Sequence, residues 1–268
     1  MSEPAAAVEA ILARLDGTPL VLLLDIDGTL APIVSRPELA EVPPETRRAL
    51  ASLAASPAVH VGVVSGRGAG DARRLAGLTH GWVIGNHGLE TIAPDGEETV
   101  DRQVAPFRPG LAKAARALER LLAAVPGVTV EDKIWSHSVH YRLADPAVVP
   151  RVRRAVEDVA REHGLRVTTG KLIFELRAPV KVDKGTAVVA LADRLGGLEP
   201  SASLVFAGDD VSDEDAFRLL RVRVPHAITV RIGAEPPETA AEFRLPDPAA
   251  MRVLLERLAE ARRATARR

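Results

Sequence analysis

Residues 20–30 read Leu-Val-Leu-Leu-Leu-Asp-Ile-Asp-Gly-Thr-Leu. The run is apolar up to Leu24 and then reaches two carboxylates, Asp25 and Asp27. A short apolar run that stops at charge is typical of a buried parallel strand ending at the carboxyl edge of an α/β sheet, where ligands bind. Because residues two apart in an extended chain point to the same side, we expect both carboxylates to share that edge.

Paired carboxylates at a sheet edge indicate metal binding or phosphoryl chemistry. Two such groups repel each other unless a cation lies between them or one stays protonated. Mg²⁺ takes oxygen ligands of this kind, and an aspartate can attack phosphorus to form an aspartyl-phosphate. The next residues fit this use, since Gly28 permits a sharp turn and Thr29 offers a hydroxyl and a backbone N–H. An ordinary Asp-Gly turn is the alternative, and the motifs further along the chain favour chemistry.

The composition fits a globular core with one insertion. The chain has 268 residues, of which 47% are hydrophobic and only 3% aromatic, so Leu, Val and Ala must fill the core. The net charge of −1 argues against nucleic acid and membrane surfaces as partners. The absence of cysteine excludes disulfides and thiol catalysis. We find no signal peptide and no apolar run of membrane-spanning length, and we expect a cytoplasmic location.

The order of apolar and polar segments predicts an α/β fold, with a Rossmann-like core around a parallel sheet and an inserted α+β domain. Strands alternate with helices up to Pro106, and the alternation resumes near Asp183. The residues between them read helix, hairpin, helix, hairpin, which is typical of a separate layer with its own sheet. We therefore predict a first core segment at 1–106, a cap domain at 107–179 and a second core segment at 180–268.

Two further strands are predicted to end in polar residues. Residues 65–67, Ser-Gly-Arg, follow a strand over Val59–Val64, and a hydroxyl followed by glycine and a helix can hold a phosphate oxygen. An ordinary helix cap explains these residues equally well. Residues 86–90, Asn-His-Gly-Leu-Glu, follow a strand over Trp82–Gly85, and the polar residues among them suit contacts with a substrate hydroxyl. The histidine could equally be a structural hydrogen-bonding group.

An acidic segment follows another predicted strand, Ser203–Ala207. Residues 208–215 read Gly-Asp-Asp-Val-Ser-Asp-Glu-Asp. Asp209 is expected at the strand end and Asp213 in the first turn of the next helix. A solvated acidic loop is the alternative, but it does not explain why these acids fall at the sheet edge where the first pair of aspartates also lies.

The predicted strands of the insertion have one apolar face and one polar face. Alternation along Ile134–Arg142 and Leu172–Arg177 assigns to the polar face Ser136, Ser138, His140, Arg142, Lys171, Glu175 and Arg177, with the apolar Ile173 on the same side. Such faces are solvated in most antiparallel sheets. Acids, bases and hydroxyls are also what a sugar needs, so both interpretations stay open.

Together the strand ends resemble the motifs of the haloacid dehalogenase superfamily of phosphotransferases. The matching segments are Asp-x-Asp-Gly-Thr at 25–29, Ser-Gly-Arg at 65–67, a lysine at 184 and Gly-Asp-x-x-x-Asp at 208–213. Within the superfamily the chain is most similar to the trehalose-6-phosphate phosphatases. That similarity is carried by residues 208–217, by Val-Glu-Asp-Lys at 130–133 with Val-His-Tyr-Arg at 139–142, and by Phe-Glu-Leu-Arg at 174–177. Ile26 replaces a more usual phenylalanine, and Val211 and Ser212 replace a more usual Arg-Thr pair.

The resemblance implies a role for each matching residue. It implies that Asp25 is the nucleophile and Asp27 the general acid and base, with Lys184 as the third catalytic residue. The implied Mg²⁺ site comprises Asp25, Asp27 through its backbone carbonyl, Asp209 and a phosphate oxygen, with Asp213 supporting these ligands or contacting the ion through water. The implied phosphate-binding residues are Gly28, Thr29, Ser65, Gly66 and Lys184. The implied substrate-binding residues are Arg67, Asn86, His87, Gly88, Glu131, Lys133, Arg142 and Glu175.

The activity implied by the resemblance is Mg²⁺-dependent hydrolysis of trehalose 6-phosphate through an aspartyl-phosphate, in trehalose biosynthesis. We expect a monomer that is functionally paired with a trehalose-6-phosphate synthase. A related phosphatase for sucrose phosphate or mannosylglycerate phosphate is the alternative, which a panel of sugar phosphates would separate. A catalytically silent binding domain is expected to lack Asp25, Asp27 or Lys184, and all three are present.

Overall fold

A computed structural model describes residues 3–170, 172–234 and 238–266. The chain divides into two compact units. The core unit comprises Met1–Thr99 and Val182–Arg268, and the insertion unit comprises Val100–Lys181. The predicted assignment of residues 107–179 as a cap domain stays a prediction. Within the described ranges, no helix has both the length and the apolar character needed to cross a bilayer.

The strands alternate with helices in the core unit and form hairpins in the insertion unit. In chain order the strands are β1 (Leu20–Leu24), β2 (Val59–Val64), β3 (Trp82–Gly85), β4 (Glu90–Ile92), β5 (Glu98–Val100), β6 (Thr129–Asp132), β7 (Ser136–His140), β8 (Arg166–Gly170), β9 (Ile173–Arg177), β10 (Ser203–Gly208), β11 (Ile228–Ile232) and β12 (Phe243–Leu245). The α-helices are α1 (Glu3–Leu12), α2 (Pro44–Ala54), α3 (Ala69–Ala76), α4 (Arg108–Leu122), α5 (Val149–Glu162), α6 (Lys184–Arg194), α7 (Val211–Arg223) and α8 (Pro248–Ala266).

The larger sheet has the order β12-β11-β10-β1-β2-β3-β4-β5. β1 lies inside it and pairs in parallel with β10 and β2, and the parallel pairing continues outward to β12 and β3. β4 then pairs antiparallel with β3. Parallel pairing brings the carboxyl ends of β1, β2, β3 and β10 to one edge, which is where the sequence predicts the functional residues.

Both faces of this sheet are covered, as the unbroken apolar sequence of β1 requires. Leu20, Leu22 and Leu24 belong to an apolar cluster that includes residues of α1, α2, α3 and α8. Val21 and Leu23 belong to a second cluster with residues of α6 and α7. The alternation along β1 thus divides its side chains between two helical layers.

The insertion unit has an antiparallel sheet in the order β6-β7-β9-β8, in contact with α4 and α5. Val139 and Phe174 are buried, and the ring of Phe174 stacks on Tyr141 with centroids 4.6 Å apart. The guanidinium of Arg153 lies over the same Phe174 ring at 4.9 Å. This arrangement matches the predicted helix and hairpin pattern.

The structure differs from the sequence prediction at the ends of the insertion strands. β7 begins at Ser136 and β9 at Ile173, rather than at Ile134 and Leu172. Both of these apolar residues have positive φ, 71° for Ile134 and 65° for Leu172, so they lie in turns rather than in strands. β7 also ends at His140, so the predicted strand to Arg142 was too long at both ends. Lys171, predicted on the polar face, lies outside the described residues.

Candidate active site

The site lies in the core unit, where four neighbouring strands end. Asp25 follows β1 directly, and its backbone N–H donates to the Ala207 carbonyl of β10 at 2.9 Å. Asp209 follows β10, and Ser65 follows β2. Lys184 is the first residue of α6, a helix that begins with a capping box between Asp183 and Thr186. The strand order and this cap therefore bring distant parts of the chain together.

A buried lysine joins two of the aspartates. Lys184 Nζ lies 2.6 Å from Asp25 Oδ1 and 2.6 Å from Asp213 Oδ1, and Lys184 is only 2% exposed. The other oxygen of Asp213, Oδ2, accepts the backbone N–H groups of Asp209 at 3.0 Å and Asp210 at 2.9 Å. Asp213 therefore fixes both the lysine and the loop after β10.

Burial and the close charges shift the ionisation of this cluster. Burial raises the pKa of Asp25 well above its usual range, and the carboxylates of Asp213 and Asp209 raise it further, while Lys184 acts in the opposite direction. Burial alone would lower the pKa of Lys184, but the carboxylates of Asp213 and Asp25 outweigh it and raise that pKa above its ordinary value. These shifts favour the charged form of Lys184 and, without nearby positive charge, the neutral form of Asp25.

Asp25, Asp209 and Asp213 each offer a carboxylate oxygen, and the three oxygens lie within 4.8 Å of one another. Oxygen donors of this kind suit Mg²⁺. One lysine balances only one of these three charges, so a divalent cation would complete the neutralisation. Gly28, with φ of +83°, leaves room for the Asp209 carboxylate, which a Cβ at that position would overlap. The three carboxylates, together with the space that Gly28 leaves for Asp209, therefore fit Mg²⁺.

Asp27 is held by an arginine from the next strand end. Arg67 Nε and Nη2 donate to the two carboxylate oxygens of Asp27, each at 2.7 Å. Arg67 Nη1 donates to Asp71 at 2.8 Å, and Nη2 also donates to the Pro37 carbonyl at 3.0 Å. These carboxylates raise the pKa of Arg67 although burial opposes the shift. The sequence predicted Arg67 as a substrate contact, whereas these four hydrogen bonds engage it with protein groups.

The loops after β2 and β3 hold each other in place. The backbone N–H of His87 donates to the Ser65 carbonyl at 3.0 Å, and that of Asn86 donates to the Arg67 carbonyl at 2.7 Å. The His87 ring packs on Gly66, where a Cβ would lie 2.6 Å from His87 Nε2. Asn86 and His87 both have positive φ, 50° and 56°. The two segments predicted from separate motifs are thus adjacent.

The remaining predicted phosphate and loop residues lie at the same strand ends. Thr29 is fully buried after β1, and its hydroxyl has no hydrogen-bond partner within the described part of the chain. Gly88 has φ of +113° and packs against Val182 and Asp183, which precede Lys184. Gly88 therefore connects the loop after β3 with the start of α6.

Two acidic residues, Glu90 and Asp71, support these loops. The sequence placed Glu90 only among the polar residues after β3 and did not single out Asp71. Glu90 accepts hydrogen bonds from the side-chain amide of Asn86 and from the backbone N–H of Ala69 at 3.2 Å. Asp71 accepts a hydrogen bond from Arg67 Nη1. Asp71 lies one turn along a helix predicted to start after Ser-Gly-Arg, so the i,i+4 spacing of Arg67 and Asp71 was the available signal.

In the insertion unit, the predicted sugar-binding residues occupy two small polar groups. Lys133 Nζ lies 3.2 Å from Glu175 Oε1, and Ser138 Oγ donates to the same oxygen at 3.4 Å. Glu131 Oε2 lies 2.8 Å from His140 Nε2. The side chains of Lys133 and Glu175 are 8% and 9% exposed, so this part of the polar face is not solvated.

Arg142 has a different position from the one predicted. It lies two residues beyond the end of β7 and is half-buried in a turn. Its place on the polar face of a strand, predicted by alternation, is therefore wrong, although a substrate contact for Arg142 stays a prediction.

Comparison with known families gives one match over most of the chain. A family model described as trehalose-phosphatase matches residues 23–249. A trehalose-phosphate phosphatase of Mycobacterium tuberculosis is 37% identical over 243 residues, which cover 89% of this chain and 61% of that protein. An uncharacterized glycosyl hydrolase of the same species is 36% identical over 248 residues, which cover 91% of this chain but 18% of that protein. The chain thus spans only part of the length of these relatives.

Solved structures with the same fold are also similar. A trehalose-6-phosphate phosphatase related protein has a TM-score of 0.79 at 27% identity, covering 90% of this chain and 97% of that one. A haloacid dehalogenase-like hydrolase from Bacteroides thetaiotaomicron has a TM-score of 0.59 at 17% identity, covering 91% and 98%. The second likeness concerns the fold alone and agrees with the α/β fold predicted from the sequence.

Proposed function

The chain belongs to the trehalose-phosphatase family, and from this membership we propose that it hydrolyses trehalose 6-phosphate to trehalose and phosphate. The observation that carries the proposal is the cluster of Asp25, Asp209 and Asp213 around Lys184 at one sheet edge. An electrostatic centre of this kind is what phosphoryl transfer mainly requires.

In the first half of the proposed reaction, Asp25 attacks phosphorus. A bond forms between a carboxylate oxygen of Asp25 and phosphorus, and the bond between phosphorus and the sugar oxygen breaks. Asp27 gives a proton to that leaving oxygen, which releases trehalose. Lys184 balances the negative charge of Asp25 and the phosphoryl group, and the Ser65 and Thr29 hydroxyls with the backbone of Gly28 and Gly66 bind phosphoryl oxygens.

In the second half, water attacks the phosphorus of the aspartyl-phosphate. Asp27 takes a proton from that water, the bond between phosphorus and Asp25 breaks, and phosphate leaves. Bound Mg²⁺ would supply positive charge for the phosphoryl oxygens and for the ionised aspartate. We propose that it is held by Asp25, the Asp27 carbonyl and Asp209, with Asp213 supporting these ligands or contacting the ion through water.

The proposed sugar contacts lie in both units. Glu131, Lys133, Arg142 and Glu175 bind sugar hydroxyls in the proposal, as do Asn86, His87 and Gly88. Buried carboxylates and amines discriminate well among sugars, because a missing hydroxyl leaves a buried charge unpaired. The burial of Lys133 and Glu175 supports this use. Arg67 is the weakest of the predicted substrate contacts, since its guanidinium already contacts Asp27 and Asp71.

Phosphate release from a panel of sugar phosphates tests the substrate. Trehalose 6-phosphate, glucose 6-phosphate, sucrose 6-phosphate and mannosylglycerate phosphate would be compared in the presence of Mg²⁺ and of a chelator. We expect the highest kcat/KM for trehalose 6-phosphate and loss of turnover with the chelator. A preference for sucrose phosphate or mannosylglycerate phosphate would favour the alternative and reject the sugar assignment while keeping the phosphatase reaction.

Two Asp→Asn variants, one in the site and one on the surface, test whether Asp25 is the nucleophile. Asp25→Asn removes the attacking oxygen anion, so turnover should fall at least about a thousandfold while the fold is kept. Asp215→Asn is the matched control, because Asp215 pairs with Arg218 on the exposed face of α7. Circular dichroism checks the fold of both variants. Retained activity in Asp25→Asn would refute the nucleophile assignment.

The proposals on partners and location rest on composition and on the substrate rather than on the geometry of the site. We propose a monomer that acts in the cytoplasm, and the absence of cysteine is compatible with a reducing compartment. Trehalose 6-phosphate has to be supplied by a synthase, so we propose a functional pairing with one. Sedimentation of the purified chain and imaging of a tagged copy test the first two statements, and co-purification tests whether the pairing is also physical.

A further inference from the structure

A second network of buried charge lies behind the acidic loop. Arg231 in β11 and Glu214 in the first turn of α7 are 4% and 5% exposed. Arg231 Nη1 lies 3.3 Å from Glu214 Oε1. Neither residue belongs to the proposed set of catalytic, metal, phosphate and sugar contacts.

This ion pair joins three parts of the core unit. The carboxylate of Glu214 accepts the Thr239 hydroxyl at 2.5 Å and the backbone N–H of Ala240 at 2.9 Å. Arg231 Nη1 also donates to the backbone carbonyl of Asp210 at 3.1 Å. The pair thus connects the strand β11, the start of α7 and the segment that follows β11 with the loop after β10.

The network continues directly to the candidate metal site. The amides of Asp209 and Asp210 donate to Asp213, which contacts Lys184 on its other oxygen. The Asp213 carboxylate thus holds the peptides on either side of Asp209. The Asp210 carbonyl, one peptide further on, is held by Arg231 and by the backbone N–H groups of Asp213 at 3.1 Å and Glu214 at 3.2 Å. The backbone that carries Asp209 therefore lies directly beside both sets of contacts.

Stability is a poor explanation for such a pair. Removing two charges from water is costly, and apolar residues of similar volume often replace a buried ion pair without loss of stability. Arginine differs from an apolar residue in that it can hold a carboxylate and a carbonyl at defined positions. In this protein the pair instead helps to hold the loop after β10 in a defined conformation.

We propose that Arg231 and Glu214 are positioning residues that hold the Asp210 carbonyl, and with it the loop after β10, in the conformation in which Asp209 binds a divalent cation. This inference rests on the proposed function for the cation itself. Groups that orient metal ligands from behind typically change metal affinity by about 10- to 100-fold when they are removed.

The test is a calorimetric titration of the whole chain with Mg²⁺. Arg231→Met removes the contact with the Asp210 carbonyl, and we expect Mg²⁺ binding about tenfold weaker or more. Arg218→Met is the matched control, since Arg218 lies on α7, as Glu214 does, but forms an exposed pair with Asp215. The control should bind Mg²⁺ like the wild type.

A double variant separates positioning from stability. In Arg231→Met/Glu214→Gln no charge of the pair is left buried and unpaired, so the melting temperature should recover relative to the single variant. Mg²⁺ affinity should stay low, because the contact with the Asp210 carbonyl is still missing. This variant also carries the test if the single variant does not fold.

The outcomes distinguish the inference from the proposed function. A Mg²⁺ Kd within about twofold of the wild-type value in the double variant would overturn the inference and leave the pair a structural feature. Wild-type chain that binds no Mg²⁺ would overturn both the inference and the metal assignment. Phosphate release by the wild type, measured separately, tests the hydrolase proposal independently of these variants.

Discussion

Arg67 donates to both oxygens of Asp27 at 2.7 Å, and a third hydrogen bond connects it to Asp71. A planar guanidinium can hold a carboxylate in one orientation in a way that a single ammonium cannot. If Asp27 transfers protons in the proposed reaction, Arg67 sets where that carboxylate lies before substrate arrives. Its effect on catalysis should then pass through Asp27 rather than through sugar binding.

Arg67→Lys distinguishes the positioning of Asp27 from a direct contact with the sugar. Lysine keeps the charge but loses the two-point contact, so we expect kcat to fall roughly 10- to 100-fold with KM for trehalose 6-phosphate nearly unchanged. Steady-state kinetics measure both constants. A large rise in KM with unchanged kcat would contradict this role and support the direct substrate contact predicted from the sequence.

Gly28 offers a second test at the scale of one residue. Gly28→Ala should be destabilised by about 1–2 kcal/mol because of its positive φ, and it should bind Mg²⁺ more weakly because the new Cβ displaces the Asp209 carboxylate. Gly70→Ala is the control, since no atom lies within 4 Å of the Cβ it would gain in α3 and alanine favours a helix by about 0.5–1 kcal/mol. Chemical denaturation and Mg²⁺ titration measure the two effects. Equal Mg²⁺ affinity in both variants would show that the absence of a side chain at Gly28 is not needed for Mg²⁺ binding.

Among the elements, strand β7 of the insertion unit carries a buried histidine. His137 is fully buried, and its Nε2 lies 2.8 Å from the Leu111 carbonyl of α4. Burial lowers the pKa of His137 below its ordinary value of 6.5, while the neighbouring Asp132 carboxylate opposes that shift. The folded chain therefore prefers the neutral imidazole.

This preference predicts a loss of stability in acid. Above pH 6.5 His137 is neutral in both states, and as the pH falls from there through its lowered pKa the unfolded chain takes up the proton first. The slope from one such group is at most about 1.4 kcal/mol per pH unit. Denaturation at about pH 7.5 and pH 5.5 should show a smaller loss for His137→Gln, which keeps an N–H donor for Leu111, than for the wild type. The same loss in both proteins would exclude His137 as the cause.

The elements that the sequence predicted best are those with long apolar runs. β2 and β3 have the predicted bounds, Val59–Val64 and Trp82–Gly85. Each is a short apolar run that ends at polar or turn residues, and this pattern marks both ends of a buried parallel strand. β5 was missed because it is three residues long and all of them are exposed, so no apolar pattern marks it. The turns at Ile134 and Leu172 were missed because apolar residues rarely adopt positive φ.

At the scale of the whole molecule, the strand order explains why much of the site was predictable. Asp25 and Asp209 are far apart in sequence, but parallel pairing of β1 with β10 brings their strand ends side by side. Supporting contacts such as Glu90 with Asn86, or Arg231 with the Asp210 carbonyl, depend on side-chain positions that no spacing rule encodes. The sequence therefore predicts the acidic centre better than the network that holds it.

The measurement that tests the central claim most directly is chemical trapping of the phosphorylated enzyme. The wild-type chain would be mixed with trehalose 6-phosphate and Mg²⁺, quenched in acid and reduced with borohydride, which converts an acyl phosphate to an alcohol. Peptide mass spectrometry should then find homoserine in place of aspartate at residue 25 and at no other aspartate. Turnover without any such product, or a product at another aspartate, would contradict the account.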